Sequence, residues 1–505
     1  MNNYRLNLAE MLNNFINNHK ISNIFINKIV LDSRKIKGKH CLFLAIKGYK
    51  LDGKNFIDDA IKNGAIAIIV DSNRNINPYN IIYKNNIPII TLPNLQEKIS
   101  FFAGKLYKNP SNKIPVIGVT GTNGKTSITN FLMQWINLLG KKAAICSTLG
   151  NGFDKNLITT NNTTDSAIEI QYILKNFIEQ KADIAIVEIS SHGLKQFRVS
   201  NLKFSAGIFT NLSRDHLDYH LNMKDYELTK WKFFSEHKIK TSIINIDDII
   251  GYNWFNKLSY NNNTIAVTTK KNIFIKNNLY FKVNKIIFLK NYTIIKFNSS
   301  WGKGIIKIFL LGYFNVINII LSMTTLLTLN FPLKELIHTS SKLHSVYGRM
   351  EVFPSQIKYP TIIIDYAHTP DALKNVLLTI KLYCKGKIWC IFGCGGERDI
   401  GKRLIMGVIA KKFSDIVIIT TDNPRSENIM NIIKDIIQKY KCNSNLHIII
   451  DRCEAINYAI NNANKNDTIL IAGKGHEQYQ IIGNKIFNYS DYNVVNNFFK
   501  KISNE

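Results

Sequence analysis

The chain has 505 residues, 45% of them hydrophobic, and a formal net charge of +29. That length suggests about three domains with sizeable cores, and the composition excludes a disordered chain. No apolar run approaches membrane-spanning length, which excludes an inserted membrane protein. Basic residues are spread from end to end, without a basic arm or an arginine cluster interleaved with aromatics. The charge therefore reads as drift toward Lys, Asn and Ile, with a cationic cleft for polyphosphates as a modest addition, and no nucleic-acid partner is expected. Seven cysteines, at 41, 146, 384, 390, 394, 442 and 453, form no C-x-x-C and no zinc-ligand spacing. Cys390 and Cys394 are expected to pack in a core. With no signal pattern in Met-Asn-Asn-Tyr-Arg-Leu, a reducing cytoplasmic location is expected.

Residues 1 to 94 carry short strands, Ala65–Val70 and Ile87–Leu92, and a polar turn, Leu31-Asp32-Ser33-Arg34. Pro93, Pro110 and Pro115 punctuate the passage into a second segment. There a strand over 114–119 runs into Gly121-Thr-Asn-Gly124-Lys125-Thr126-Ser127, and a helix follows with Ile128, Phe131, Leu132, Trp135, Leu138 and Leu139 at helical spacing. A glycine-rich turn between strand and helix aims backbone N–H groups and the helix dipole at one point, which suits an anion. Lys125 is placed to reach terminal phosphates, and the Thr126 hydroxyl to meet Mg²⁺. Val119 occupies the place of the first glycine in the general phosphate-loop pattern. ATP binding is the reading.

Alternating strands (183–189, 206–210, 242–246) and helices argue a parallel, doubly wound sheet. Glu188 ends the first of these, where a carboxylate suits Mg²⁺. Taken alone, it reads as a solvent-facing strand end. His216, in Asn211-Leu-Ser-Arg-Asp-His216-Leu-Asp218, is either a metal or phosphate contact or an ordinary loop histidine. Glu227 and Lys230 are three apart on a helix, and bottom-up they form no more than a surface ion pair. Residues 267–310 alternate apolar and polar, as an antiparallel insertion would. After Tyr347-Gly-Arg349, strands over 361–364, 387–392, 416–420, 448–450 and 468–471 form a third α/β unit. The loops Asp365–His368, Gly393–Asp399, Asp422–Arg425 and Gly473–Glu477 follow four of them, so they read as one site beyond the carboxyl ends of a parallel sheet.

Taken together, G-T-N-G-K-T at 121–126, V-E-I-S-S-H-G at 187–193, N-L-S-R-D-H-L-D-Y-H at 211–220, E-L-T-K-W at 227–231, G-R-M-E at 348–351, D-Y-A-H-T-P at 365–370, G-C-G-G-E-R-D at 393–399, D-N-P-R at 422–425 and A-G-K-G-H-E at 472–477 resemble the Mur ligase family nearly end to end. The resemblance implies an α/β protein of three domains. These are a UDP-sugar-binding domain (1–94), a central doubly wound ATP-binding domain (95–345) and a C-terminal Rossmann-like amino-acid-binding domain (346–505). It is strongest to members that use ATP to join meso-2,6-diaminopimelate to UDP-N-acetylmuramoyl-L-alanyl-D-glutamate in peptidoglycan precursor synthesis. It implies that Gly121, Thr122, Asn123, Gly124, Lys125, Thr126 and Ser127 hold the ATP phosphates, and Asn315, Arg349 and Asp365 the adenosine. Mg²⁺ would lie near Thr126, Glu188 and His216. Lys230 matches a lysine that is carbamylated in the family and holds a second Mg²⁺. Lys125, Glu188, His216 and Lys230 are thus the catalytic set. Leu31, Ser33, Asn162, Thr163, Thr164, Ser190, Gln196 and Arg198 would meet the UDP-sugar substrate. Arg398, Asp422, Asn423, Pro424, Arg425, Gly473 and Glu477 would grip diaminopimelate.

Some positions depart from the family pattern: Ser127 for threonine, Tyr49-Lys50-Leu51 at the uracil contact, Asp165 for glycine and Ile400 for a basic residue. None removes a catalytic group. A lysine-adding relative would lack Arg425, and folylpolyglutamate synthetase would lack Asp-Asn-Pro-Arg. A basic ATPase on nucleic acid would need stacking aromatics and motor motifs that the sequence does not carry. A monomer acting on small molecules is expected.

Overall fold

The computed structural model describes residues 5–16, 21, 23–48, 51–72, 79–154, 156–160, 162–260, 263–271, 273, 275, 278–353, 358–439 and 445–503. Tyr49, Lys50 and Cys442 lie outside these residues, and so do the first four. The chain divides into two compact units, one of residues 1–120, 140–207 and 229–240, the other of 121–139, 208–228 and 241–505.

Two larger sheets concern the first unit, besides the two-stranded pairs Leu6–Asn7 with Phe25–Ile26 and Lys203–Phe204 with Lys238–Ile239. In the N-terminal one, Lys28–Val30, Cys41–Ala45, Ala65–Asp71 and Ile87–Leu92 run parallel, and Ile81–Lys84 closes the edge antiparallel. The strand Cys41–Ala45 is buried throughout, as expected of a parallel strand covered on both faces. Its alternate side chains feed separate cores. Leu42 and Leu44 pack with Leu8 and Phe102, whereas Phe43 and Ala45 pack with Ala60 and Ile68. The second sheet places Ile184–Ile189 between Ala143–Ser147 and Val116–Thr120, all parallel. The strand expected over 114–119 starts at Val116, after Pro115, whose ring nitrogen has no hydrogen to give a ladder. Helix Ala167–Glu179 begins in a reciprocal cap between Ser166 and Glu169.

In the second unit, helix Lys125–Leu138 buries Ile128, Phe131, Leu132 and Trp135. Leu138, expected on that stripe, is 39% exposed because it is the last helical residue, at the edge of the buried face. Ser242–Asn245, Thr264–Thr268 and Tyr280–Phe288 pair in parallel, and Thr293–Ser299 and Gly302–Ile308 continue antiparallel. The antiparallel insertion expected over 267–310 is thus present, as the three strands between 280 and 308.

The C-terminal sheet has the order Glu351–Phe353, Thr361–Asp365, Thr468–Ala472, Ile388–Phe392, Ile416–Ile419, Leu446–Ile448, with only the first strand antiparallel. The last lies two residues before the expected 448–450, on the sheet edge, and Ile448 and Ile450 are exposed. Cys390 and Cys394 are buried in this core, and burial pushes both thiols up to about 12. Packing is their role, as expected.

Candidate active site

The loop after Val116–Thr120 needs its glycines. Gly121 at φ 144° and Gly124 at φ 90° adopt backbone shapes that side chains disfavour. A Cβ would meet Thr210 Oγ1 at 1.9 Å from Gly121, and Asn318 Oδ1 at 2.6 Å from Gly124. The Thr122 N–H donates to the Asn211 carbonyl (2.8 Å) and the Asn123 N–H to Asn211 Oδ1 (3.0 Å). The Ser213 N–H donates to Thr122 Oγ1 (3.0 Å), so the loop is pinned by the segment 211–213. Lys125 Nζ donates to the carbonyls of Gly121 (3.0 Å) and Thr122 (2.8 Å), which folds its ammonium back over the loop at the helix N-terminus. That is an anion cradle.

Beside it lies a cleft of 330 Å³ bordered by Gly124, Ser127, Phe314, Ile317, Asn318, Arg349, Asp365 and Ala367. Arg349 stacks over the Tyr366 ring at 4.3 Å and donates to Thr126 Oγ1 at 3.3 Å. Asp365 accepts the Met350 N–H at 2.8 Å. Burial raises its carboxyl, opposed chiefly by Arg349. Apolar walls with a few fixed polar groups fit a nucleoside. Asn315, expected at this site, does not border the cleft. Its amide donates to the Leu311 carbonyl at 2.8 Å, and Asn318, one turn further on, faces the cleft instead.

His216 has φ 56°, and its Nε2 lies 3.3 Å from Asp215 Oδ2. Asp215 also faces His368 Nε2 (3.6 Å) and Lys402 Nζ (3.5 Å). Burial alone would raise the Asp215 carboxyl, but His216, Lys402 and His368 together hold it well below the usual carboxylate range. Arg214 grips Asp399 bidentately at 2.8 and 2.9 Å, and Arg398 reaches Asp218 at 3.5 Å. The 214–218 loop is therefore tied three times to the start of helix Gly401–Phe413. Asp215, His368 and Lys402 carried no assigned role in the sequence, because a single sequence does not reveal that Asp215 and Lys402 are buried.

The loops after the C-terminal strands do converge. Asn423 Nδ2 donates to Glu477 Oε2 (3.0 Å), and the Gly473 N–H donates to the Asp365 carbonyl (3.0 Å). Arg425, at φ 55°, donates from Nη1 to the carbonyls of Gly396 (2.8 Å) and Asn423 (3.3 Å). Pro424 is buried beside Gly396, where a Cβ would meet the Pro424 carbonyl at 1.9 Å. Burial and then Asp422 raise the Glu477 carboxyl, and Lys474 opposes them. Arg403, also unassigned from the sequence, is 0% exposed. It holds Glu427 (2.6 and 2.7 Å), Asp435 (2.9 Å) and the Gly395 carbonyl (3.3 Å).

In the first unit, Glu188 is buried and accepts the Thr148 N–H and hydroxyl, both at 3.1 Å. Thr148 Oγ1 also lies 3.1 Å from Thr163 Oγ1, from which it can accept. Thr164 Oγ1 donates to the Glu188 carbonyl (2.7 Å) and accepts the Ser190 N–H (2.9 Å). Arg198 donates to Gln196 Oε1 (2.7 and 3.0 Å) and to the Thr164 carbonyl. Thr163, Thr164 and Ser190 are thus linked to Glu188 directly or through one residue, Arg198 and Gln196 join them through the Thr164 carbonyl, and Asn162 is exposed. Leu31 and Ser33 border a separate cleft of 540 Å³ in the N-terminal sheet, where Asp32 caps a short 3₁₀ turn. Lys230 is 1% exposed. It is therefore not the surface residue that the expected pair with Glu227 requires, and Glu227 lies 3.5 Å from Lys224.

Among the described residues, no group of three or more His, Cys, Asp or Glu side chains forms a cation cage. Single oxygen donors such as the Glu188 carboxylate and Thr126 hydroxyl suit Mg²⁺, which binds through one or two protein groups and substrate phosphates.

Family models match three stretches: the Mur ligase family catalytic domain at 25–98, the Mur ligase middle domain at 119–326 and the Mur ligase glutamate ligase domain at 348–475. The chain is 50% identical over 472 residues to UDP-N-acetylmuramoyl-L-alanyl-D-glutamate–2,6-diaminopimelate ligase of Buchnera aphidicola subsp. Schizaphis graminum, covering 93% of this chain and 94% of that protein. It is 44% identical to the ligase of the same name from Haemophilus influenzae, over 95% of this chain and 97% of that one. A solved structure of a ligase with that name aligns with a TM-score of 0.69 at 30% identity, over 99% of both chains.

Proposed function

The chain belongs to the Mur ligase family, and on that premise we propose that it joins meso-2,6-diaminopimelate to UDP-N-acetylmuramoyl-L-alanyl-D-glutamate at the expense of ATP. The observation that carries this reading is one unit holding both an anion cradle with a nucleoside-sized cleft and a cluster of charged loops. The names of relatives 44–50% identical over nearly the whole chain point to the same reaction.

A carboxylate is a poor acyl donor, so the reaction starts by activating it. The side-chain carboxylate oxygen of the D-glutamyl residue attacks the terminal phosphorus of ATP. The bond to ADP breaks and an acyl phosphate forms. The amine of diaminopimelate then attacks the acyl carbon. A C–N bond forms, the nitrogen loses a proton, and the C–O bond to phosphate breaks. Lys125 and the N–H groups of Gly121–Ser127 hold the phosphates and offset their charge. Arg349 and Asp365 border the adenosine, with Asn318 beside them. Asn315 supports the helix start.

Bound Mg²⁺ supplies charge compensation to the transferring phosphoryl group. Thr126, Glu188, His216 and Lys230 would hold it, the last as a carbamate. The Lys230 ammonium first gives up one proton; the neutral amine and CO₂ then form an N–C bond and release a second proton, leaving a carboxylate where the cation was. The UDP-sugar meets Leu31 and Ser33, and its dipeptide meets Asn162, Thr163, Thr164, Ser190, Gln196 and Arg198. Arg398, Asp422, Asn423, Pro424, Arg425, Gly473 and Glu477 take the amino acid. Domains run over 1–94, 95–345 and 346–505, and the enzyme works as a cytoplasmic monomer without nucleic acid. No helix among the described residues is long and apolar enough to cross a membrane.

Oxygen labelling tests the activation step. With ¹⁸O in the glutamyl side-chain carboxylate, one label is expected in the released inorganic phosphate. Retention of both labels, one in the amide and one elsewhere than phosphate, would contradict an acyl phosphate.

A further inference from the structure

Lys474 is completely buried, yet nothing in the roles above uses it. Its ammonium donates to Asn423 Oδ1 (3.0 Å) and to the Tyr479 carbonyl (2.8 Å), and lies 3.4 Å from Glu477 Oε2. Asn423 Oδ1 also accepts the Ile481 N–H at 2.9 Å. With its oxygen committed twice, the amide is forced to turn Nδ2 toward Glu477. Lys474 therefore fixes which way Asn423 points and pairs with the carboxylate that Asn423 addresses.

Burial and then the nearby Asp422, itself 9% exposed, raise the Glu477 carboxyl. Lys474 is the cation that opposes them. Tyr366 and Tyr479 face the same carboxylates, and Arg425 and Arg398 act on Tyr479 from the other loops.

We infer that Lys474 is a positioning residue that keeps Glu477 ionised and Asn423 oriented, so that the site takes a substrate ammonium. This rests on the reading that these loops bind the amino acid. Without Lys474, Glu477 would hold its proton to higher pH and lose its hold on a cation as the solution is acidified.

The test compares Lys474→Met, Glu477→Gln and the double variant, reading KM for meso-diaminopimelate and for ATP from pH 6.5 to 9. Lys474→Met is expected to raise the amino-acid KM about tenfold or more at neutral pH, steepening toward acid, since one pKa unit is a factor of ten. The ATP KM should stay within about twofold. Because Lys474 acts through Glu477, the double variant, whose net charge equals the wild type's, should lie within about threefold of Glu477→Gln, a comparison that stands even where the single Lys474 variant does not fold. An unchanged amino-acid KM in Lys474→Met, parallel loss for both substrates, or a double variant far worse than Glu477→Gln would overturn the inference. If Glu477→Gln itself leaves the amino-acid KM unchanged, the amino-acid reading of these loops fails, and this inference with it.

Discussion

Lys125 is held over its own loop by two carbonyls, and Glu188 is buried on a threonine. Lys125→Ala and Glu188→Ala are each expected to cost orders of magnitude in kcat, and the double variant little more, because groups serving one step are not additive. Steady-state rates of the three variants check this, and additive losses would give Glu188 a separate role. Lys230→Ala should abolish ligation while leaving the thermal melt near wild type, with partial rescue by a short carboxylic acid that replaces the carbamate. Full activity in that variant would remove Lys230 from the reaction. At this scale the glycines were the most legible residues, because Gly121 and Gly124 are demanded by backbone shape and close approach. Lys474, Arg403 and Asp215 were not. Their charge marks them as surface residues in any hydropathy reading, and only the fold reveals what they are buried against.

At the scale of elements, helix Gly401–Phe413 holds the loops beyond two of the C-terminal strands in place. Arg403 joins the loop carrying Gly395 to the one carrying Glu427, and Glu427 in turn accepts the Glu397 N–H at 3.1 Å. Arg403→Met should destabilise the fold by about 2–3 kcal/mol at neutral pH, below the cost of breaking a fully buried pair because Glu427 and Asp435 remain partly in water. The Arg403 hydrogen bonds hold the Glu427 carboxyl below its ordinary value of 4.5. A group depressed on folding contributes its full stability above its unfolded value and loses it as pH falls through the folded one. Urea melts should therefore show the gap between wild type and variant narrowing below about pH 4.5. Arg425 sits at the tip of the same assembly. Its guanidinium fork suits a carboxylate bidentately, and diaminopimelate carries one more carboxylate than lysine. Arg425→Ala should raise the diaminopimelate KM steeply, spare ATP, and narrow the preference over lysine. Unaltered discrimination would place selectivity elsewhere. Most strands were legible as short apolar runs between polar loops, and the misplacements fell where that signal is weakest. The edge strand at 446–448 is exposed and irregular, and Pro115 and Leu138 mark element ends, where hydrogen bonding rather than hydropathy sets the boundary.

Across the whole molecule, Glu188 and Lys230 belong to one compact unit, and Lys125, His216 and the loops beyond the C-terminal strands to the other. Three family segments were readable from motif order, yet the contacts gather them into two units, because the chain passes between units within the phosphate-loop region and within helix Met223–Glu236. Sequence order does not record such crossings. The +29 charge is not needed by any step proposed. What the whole molecule must do is select one amino acid and spend one ATP on it. The most direct measurement offers the purified protein ATP, Mg²⁺ and UDP-N-acetylmuramoyl-L-alanyl-D-glutamate with equal meso-diaminopimelate and lysine, and counts the two amide products by mass. The account predicts the diaminopimelate tripeptide in large excess, with one ADP released per amide bond. Equal incorporation of lysine, or ADP release without any amide product, would contradict it.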